Sequence, residues 1–301
     1  MQKIGWIGIG KMGVPMSKRL LDAGYDMFVC DIVKANVDKL VKLGATYIPT
    51  PMELAQKVNI IFSIIPNSSI LKEIVSGKNG LHTTIKKGDI FVDMSTVDAE
   101  SSAEVNEVIE NKGAKFIRAC VTGSVAFASE GTLGGLISGD RDAYEEVLPM
   151  LKILTNHQYY LGNAEEGRYM KIIINMMLGT CMQAMAESLV MGQALGMDWE
   201  LMVDALAESA AACPSVKFKK DMFKSRDFTP MSTAEIMDKD MDIALKIAGN
   251  RKLAVPLASI ARQMYSSMGS TGRFSLDYAA VLLQNEDLNG ISSGNLSMQN
   301  S

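Results

Sequence analysis

The chain has 301 residues, 48% hydrophobic and 21% charged, enough for one large domain or two ordinary ones and too apolar for intrinsic disorder. Its formal net charge of −4 excludes a broadly basic surface for nucleic acid or a membrane. Four scattered cysteines (Cys30, Cys120, Cys181, Cys213) and two histidines (His82, His157) argue against a disulfide frame and against any metal site, and they fit the reduced thiols of a cytoplasmic protein.

The opening Met1-Gln2-Lys3 runs straight into a short apolar stretch that ends in glycines, so no signal peptide is expected. Apolar, β-branched runs at Ile4 to Ile9, Met27 to Cys30, Ile60 to Ile64, Ile90 to Met94 and Lys115 to Ile117 read as strands. Between them, Met16 to Leu21, Val37 to Leu43 and Ala103 to Ile109 have helical periodicity. Strands separated by helices imply a parallel sheet buried on both faces. Two further runs, Leu133 to Ile137 and around Gln158 to Leu161, extend it.

From Glu165 to Leu195 the pattern changes to one long, mostly apolar helix. Arg168, Lys171, Asn175, Gln183 and Glu187 interrupt the run, which favours a helix buried on most sides over a membrane span. Helices follow at Trp199–Glu208, Val216–Phe223, Thr233–Ala248, Pro256–Met268 and Leu276–Leu283, with no convincing strand. The predicted organisation is an α/β domain at 1–164, an all-helical domain at 165–284 that begins with a long interdomain helix, and a loose polar tail at 285–301.

Gly8-Ile9-Gly10-Lys11-Met12-Gly13 follows the first strand and opens a helix, the context in which G-x-G-x-x-G cradles a dinucleotide. Gly8 permits the tight turn, Gly10 a close approach of backbone to pyrophosphate, and Gly13 close packing of helix on strand; a merely tight turn is the alternative. Asp31, at the end of the second strand, suits the two ribose hydroxyls and would repel a 2′-phosphate, which favours NAD over NADP. Lys34 nearby weighs the other way. The first domain is therefore expected to be a Rossmann-type, doubly wound, mostly parallel sheet.

Met12-Gly13-Val14-Pro15-Met16 extends that turn into a sequence that resembles the opening of the 3-hydroxyisobutyrate dehydrogenase family of β-hydroxyacid dehydrogenases, and the resemblance runs from Lys3 to about Leu283. It implies that Lys11, Met12, Ile65, Pro66 and Thr96 lie along the cofactor, and that Ser95 and Thr96, in Asp93-Met94-Ser95-Thr96-Val97, approach nicotinamide and substrate. Ser95 or Thr96 as an N-cap for the next helix is the structural alternative. The family's substrate loop reads Asp-Ala-Pro-Val-Ser-Gly-Gly, and here it reads Arg118-Ala119-Cys120-Val121-Thr122-Gly123-Ser124. Thr122, Gly123 and Ser124 keep donors for a carboxylate. Arg118 reverses a charge, and pairs with a local carboxylate or reads a second anionic group on the substrate.

Gly167 to Asn175 resembles the family's Gly-x-x-x-Lys-x-x-Asn-Asn signature, with Ile174 in place of the first asparagine. Lys171 and Asn175 are four apart and share a helix face. The resemblance makes Lys171 the general acid/base and Asn175 its catalytic partner. Lys239-Asp240-Met241-Asp242-Ile243-Ala244-Leu245 resembles a later motif whose lysine, here Lys239, reaches the nicotinamide; an ordinary surface charge is the alternative. The implied activity is hydride transfer between NAD and a small anionic 3-hydroxy acid or its aldehyde acid, in a homodimer or homotetramer. An NADPH-dependent semialdehyde or glyoxylate reductase and a non-catalytic dinucleotide-binding protein are the competing readings.

Overall fold

The computed structural model describes residues 2–291 of the chain. The chain divides into two compact units, Met1–Lys171 and Ile172–Ser301.

The first unit carries one eight-stranded sheet. Its strands are β1 (Lys3–Ile7), β2 (Asp26–Cys30), β3 (Thr46–Tyr47), β4 (Ile60–Ser63), β5 (Ile90–Asp93), β6 (Lys115–Thr122), β7 (Leu133–Gly139) and β8 (Thr155–Gly162). They lie in the order β3-β2-β1-β4-β5-β6-β7-β8. Every pairing is parallel except β6 with β7. The helices between them are α1 (Gly13–Asp22), α2 (Lys34–Val41), α3 (Pro51–Ala55), α4 (Ser68–Ser76), α5 (Ala99–Glu110), α6 (Val125–Glu130) and α7 (Arg141–Leu154).

Alternate residues of each strand face opposite ways, so a sheet covered on both sides needs apolar residues at nearly every position. Trp6 and Phe62 pack with Met16, Leu20, Val147 and Leu151 of α1 and α7 on one face. Ile7, Ile61 and Phe91 pack with Leu54, Leu71 and Val105 of α3, α4 and α5 on the other. This is the doubly wound, mostly parallel sheet expected. The sequence reading stops the sixth strand at Ile117, yet β6 continues to Thr122 because β7 pairs along it, from Ile117 opposite Gly139 to Thr122 opposite Gly134. It also leaves out α7, which contains Pro149, a residue that ordinarily ends a helix.

The second unit is helical. Helix α8 (Glu166–Ala194) crosses the boundary between the units and is followed by α9 (Trp199–Glu208), α10 (Pro214–Phe218), α11 (Lys220–Ser225), α12 (Ala234–Asn250), α13 (Pro256–Ser270) and α14 (Val281–Leu288). By length and composition α8 is apolar enough to cross a membrane. Its Met182, Met185, Ala186, Leu189 and Val190 are buried in the core of this unit. Among the described residues, strand-like pairing here is limited to a single bridge, Thr233 with Asp277.

Three expectations need correction. The helix read at Val216–Phe223 is two short helices that break at Lys219, whose buried amine meets Asp277 at 2.7 Å. The helix read at Leu276–Leu283 is a 3-10 turn at Tyr278–Ala280 followed by α14, which runs on to Leu288. Asn285 and Glu286, placed in the polar tail by sequence, are buried in α14. Gln183 donates to Asn285 at 2.9 Å and Gln193 to Glu286 at 2.8 Å. Their polarity serves interior hydrogen bonds. Residues 292–301 of the expected tail lie outside the described residues.

Candidate active site

Residues 8–12 form the turn between β1 and α1, at the point where the strand order reverses between β1 and β4. In open α/β sheets, ligands bind at the carboxyl ends of strands at such a point. Gly8 has φ +90, and a Cβ there would lie 2.2 Å from the Ile64 carbonyl oxygen. At Gly13 a Cβ would lie 2.0 Å from the Gly8 carbonyl oxygen. At Gly10 nothing lies within 4 Å of the position a Cβ would take. The outer glycines thus serve the chain's own packing, and the middle one opens a cradle. Lys11 is exposed and Met12 half-buried beside it.

Helix α1 opens without a side-chain cap and without an acidic residue in its first turn. By contrast, Thr50, Asn67, Asp98 and Asp140 cap α3, α4, α5 and α7. An uncapped N-terminus offers backbone N–H groups and the positive end of the helix dipole to an anion. The Asp31 carboxylate accepts hydrogen bonds from the N–H of Ile9 at 2.5 Å and of Val33 at 2.7 Å. A carboxylate has about four acceptor positions, so capacity for two ribose hydroxyls remains. Sequence reasoning missed that Asp31 also ties the glycine turn to the end of β2. The turn, the uncapped helix and Asp31 together fit a nicotinamide dinucleotide.

After β4, Ile65 is buried, Pro66 is exposed, and Asn67 caps α4 by accepting from Ile70 at 3.0 Å. After β5, Ser95 is buried; its hydroxyl donates to Asp93 Oδ1 at 2.7 Å and accepts from the Ile65 N–H at 2.8 Å. Ser63 donates to the same Asp93 oxygen at 2.5 Å. Thr96, next along, is half-buried. Neither Ser95 nor Thr96 is the cap of α5. That role belongs to Asp98, which accepts from the Ser101 N–H at 2.7 Å, because α5 starts only at Ala99.

The other oxygen of Asp93 is held by a residue to which sequence reasoning gave no role. Arg168, in the first turn of α8, is 1% exposed, and its guanidinium donates to Asp93 Oδ2 at 2.6 Å. It also donates to the Ser95 carbonyl at 2.6 Å, Ser102 Oγ at 3.2 Å and Cys120 Sγ at 3.3 Å. Burial works against its charge, but Cys120, Asp93 and Glu165 outweigh burial and hold it more firmly protonated than usual. A lone arginine interrupting an apolar helix, and an aspartate ending an all-apolar strand, were the available signals. Burial raises the Cys120 thiol, while the charges of Arg168 and Lys171 act to lower it. Lys171 is half-buried, one turn beyond Arg168.

Arg118 lies on β6 rather than in a loop. It is buried and donates through Nε to Glu165 Oε1 at 2.8 Å, so of the two readings the local carboxylate holds. Thr122 ends β6, Gly123 has φ +130, and Ser124 precedes α6. The Ser124 hydroxyl is buried and has no hydrogen-bond partner, although a serine at that position ordinarily caps its own helix. It is a donor in reserve.

In the second unit, Asn175 is buried and donates through Nδ2 to Asp240 Oδ2 at 2.5 Å. Asp240 is itself buried, and Lys239 pairs with its other oxygen at 3.1 Å. Asp240 stood in the motif quoted from the sequence without a function; here it orients the Asn175 amide.

Residues 3–162 match the family model described as the NAD binding domain of 6-phosphogluconate dehydrogenase. Residues 166–284 match the one described as the NAD-binding of NADP-dependent 3-hydroxyisobutyrate dehydrogenase. The chain belongs to the 3-hydroxyisobutyrate dehydrogenase family. Among relatives of this family, glyoxylate/succinic semialdehyde reductase 2 of Arabidopsis thaliana is 33% identical over 93% of this chain and 78% of that protein. The mitochondrial 3-hydroxyisobutyrate dehydrogenase of Mus musculus is 30% identical over 92% of this chain and 85% of its own length. A solved 3-hydroxyisobutyrate dehydrogenase from Salmonella typhimurium has a similar fold, with a TM-score of 0.86 at 22% identity over 94% of this chain and 99% of that one. The chain is thus an oxidoreductase of the hydroxyacid dehydrogenase family that takes a nicotinamide dinucleotide.

Proposed function

We propose that this chain interconverts a small β-hydroxy acid and its aldehyde acid with NAD, using Lys171 as general acid/base. The observation that carries the reading is the position of Lys171: half-buried and one turn beyond Arg168, which is buried and donates to Cys120 on β6. The carboxyl end of that strand leads into Thr122, Gly123 and Ser124.

Bound NAD supplies the hydride acceptor, and NADH the donor in reverse. For the chain's own residues, neutral Lys171 takes the proton of the substrate hydroxyl in oxidation, and its ammonium returns a proton to the developing alkoxide in reduction. Asn175, one turn further along the same helix, orients that hydroxyl, with its own amide set by Asp240. Thr122, the bare backbone of Gly123 and the unpartnered Ser124 hydroxyl hold the substrate carboxylate. Ser95 does not donate to that carboxylate, since its hydroxyl proton is committed to Asp93. Asp31 favours NAD, because a 2′-phosphate beside a carboxylate that already holds two backbone N–H groups meets like charge.

The second reading, an NADPH-dependent reductase of glyoxylate or succinic semialdehyde, is favoured by the names of the Arabidopsis relatives and by the family description over residues 166–284. One experiment separates the two: initial rates with 3-hydroxyisobutyrate, glycerate, 4-hydroxybutyrate, glyoxylate and succinic semialdehyde, each with both dinucleotides. Lys171→Ala is run alongside. We expect a preference for NAD(H) and a loss of roughly a hundredfold or more in kcat for Lys171→Ala, with dinucleotide affinity nearly intact. Normal turnover by that variant would sink the assignment.

A further inference from the structure

We propose that Arg168 is the positioning residue for Lys171, clamping the first turn of α8 to β5, the turn after it, α5 and β6 at once; this deepens the reading of Lys171 as general acid/base and rests on it. The partners of this one guanidinium come from distinct segments. Asp93 ends β5, Ser95 lies in the turn after it, Ser102 is on α5 and Cys120 is on β6. Through Asp93 and Ser95 the clamp extends to Ser63 at the end of β4 and to the backbone of Ile65 beyond it. These are the segments that carry Ile65, Pro66, Thr96 and the 122–124 turn.

A buried cation is costly unless it is paired and hydrogen-bonded, and an apolar residue would fill the same space without that cost. What the guanidinium adds is direction. Its planar fork fixes several acceptors at set angles, which a point charge or an apolar side chain does not. A second anchor sits one residue earlier. The Gly167 N–H donates to Ser138 Oγ at 3.0 Å, and a Cβ at Gly167 would lie 2.8 Å from the Leu136 carbonyl oxygen. With Gly167 held against β7 and Arg168 against β5 and β6, the first turn of α8 is fixed within its own unit. Lys171, three residues on, lies on the same side of the helix as Arg168. Both side chains act on the Cys120 thiol, Arg168 by a hydrogen bond and Lys171 by its charge. The clamp therefore lies one helical turn before the amine that it aims. Since a misplacement of about 1 Å can cost on the order of a hundredfold in rate, a loosened first turn is a kinetic lesion before it is a stability one.

The test uses Arg168→Lys, which keeps the buried charge and loses the fork, and the double variant Arg168→Met with Asp93→Asn, which removes both charges and leaves no buried ion unpaired. Asn at 93 keeps an acceptor oxygen for Ser63 and Ser95. With the substrate found active in the panel above, we expect kcat to fall about tenfold in Arg168→Lys and about a hundredfold in the double variant, with KM for the dinucleotide changed less than about threefold. A readout independent of turnover is the rate at which acetic anhydride acylates Lys171 relative to the exposed Lys112, followed by mass spectrometry; we expect this ratio to change at least about threefold while the melting temperature stays near that of the parent. Unchanged kcat with an unchanged acylation ratio, in either folded variant, overturns the proposal. Should Lys171→Ala itself turn over normally, the acid/base reading fails instead, whatever the Arg168 variants do.

Discussion

Arg118 donates through Nε to Glu165 at 2.8 Å, and both side chains are buried, 47 residues apart in the chain. The arginine stands where the family's substrate loop carries aspartate, so the charge reversal has been answered by a carboxylate at the foot of α8. Burial lowers the arginine's hold on its proton, and Glu165 works against that. Removing one partner strands a buried charge, whereas removing both does not. We expect Glu165→Leu to lose about 3–5 kcal/mol of stability and Arg118→Leu with Glu165→Leu to recover most of it, read by urea denaturation. Equal losses in the single and double variants would show that the pair does not act as a unit.

Gly10 and Gly13 separate the needs of the ligand from those of the fold. A Cβ at Gly13 meets the Gly8 carbonyl oxygen at 2.0 Å, backbone that cannot easily move, so Gly13→Ala should cost roughly 1–3 kcal/mol or more. A Cβ at Gly10 meets nothing within 4 Å, so Gly10→Ala should fold with a near-parental melting temperature and lose dinucleotide affinity. Thermal melts with and without NADH distinguish them: ligand should raise the melting temperature of the parent and not that of Gly10→Ala. A Gly10→Ala protein stabilised by NADH as well as the parent would remove the glycine cradle from the cofactor site.

Asp31→Asn removes the negative charge and keeps an acceptor for only one of the backbone N–H groups of Ile9 and Val33, which bond different carboxylate oxygens. The ratio of kcat/KM for NADH over NADPH should fall at least about tenfold, equivalent to ~1.4 kcal/mol of discrimination. An unaltered ratio would place the choice of dinucleotide elsewhere, with Lys34 at the start of α2 as the next residue to change.

Asp98, the cap of α5, supplies a pH dependence. Burial pushes its carboxyl up, but hydrogen bonds from Ser68 and Ser101 outweigh burial and hold it below the usual carboxylate range. A depressed carboxylate contributes stability that is present above its unfolded pKa and is lost as pH falls through the folded one. Asp98→Ala should therefore cost about 1 kcal/mol at neutral pH and progressively less as the pH falls through the lowered pKa of the folded parent, where the cap becomes protonated. A cost independent of pH over that interval would mean that charge is not what the cap contributes.

Much of this protein was legible in its sequence because the relevant signals are local. Apolar runs of strand length separated by helical periodicity specify a sheet covered on both faces, and glycines spaced 8-10-13 specify a turn whose outer positions admit only glycine. That Lys171 and Asn175 fall on one face of α8 follows from their numbers, because a helix repeats about every four residues. What the sequence could not decide was which distant charges meet. Arg168 and Asp93 lie 75 residues apart, and Asn175 and Asp240 lie 65 apart. Arg118 had two open readings until its strand ran on past Ile117 and brought it to Glu165. Asn285 and Glu286 looked like a solvated tail until α14 packed them against Gln183 and Gln193. A buried polar group is tolerable only with its partner in place, and that partner is chosen by tertiary packing, which no local periodicity encodes.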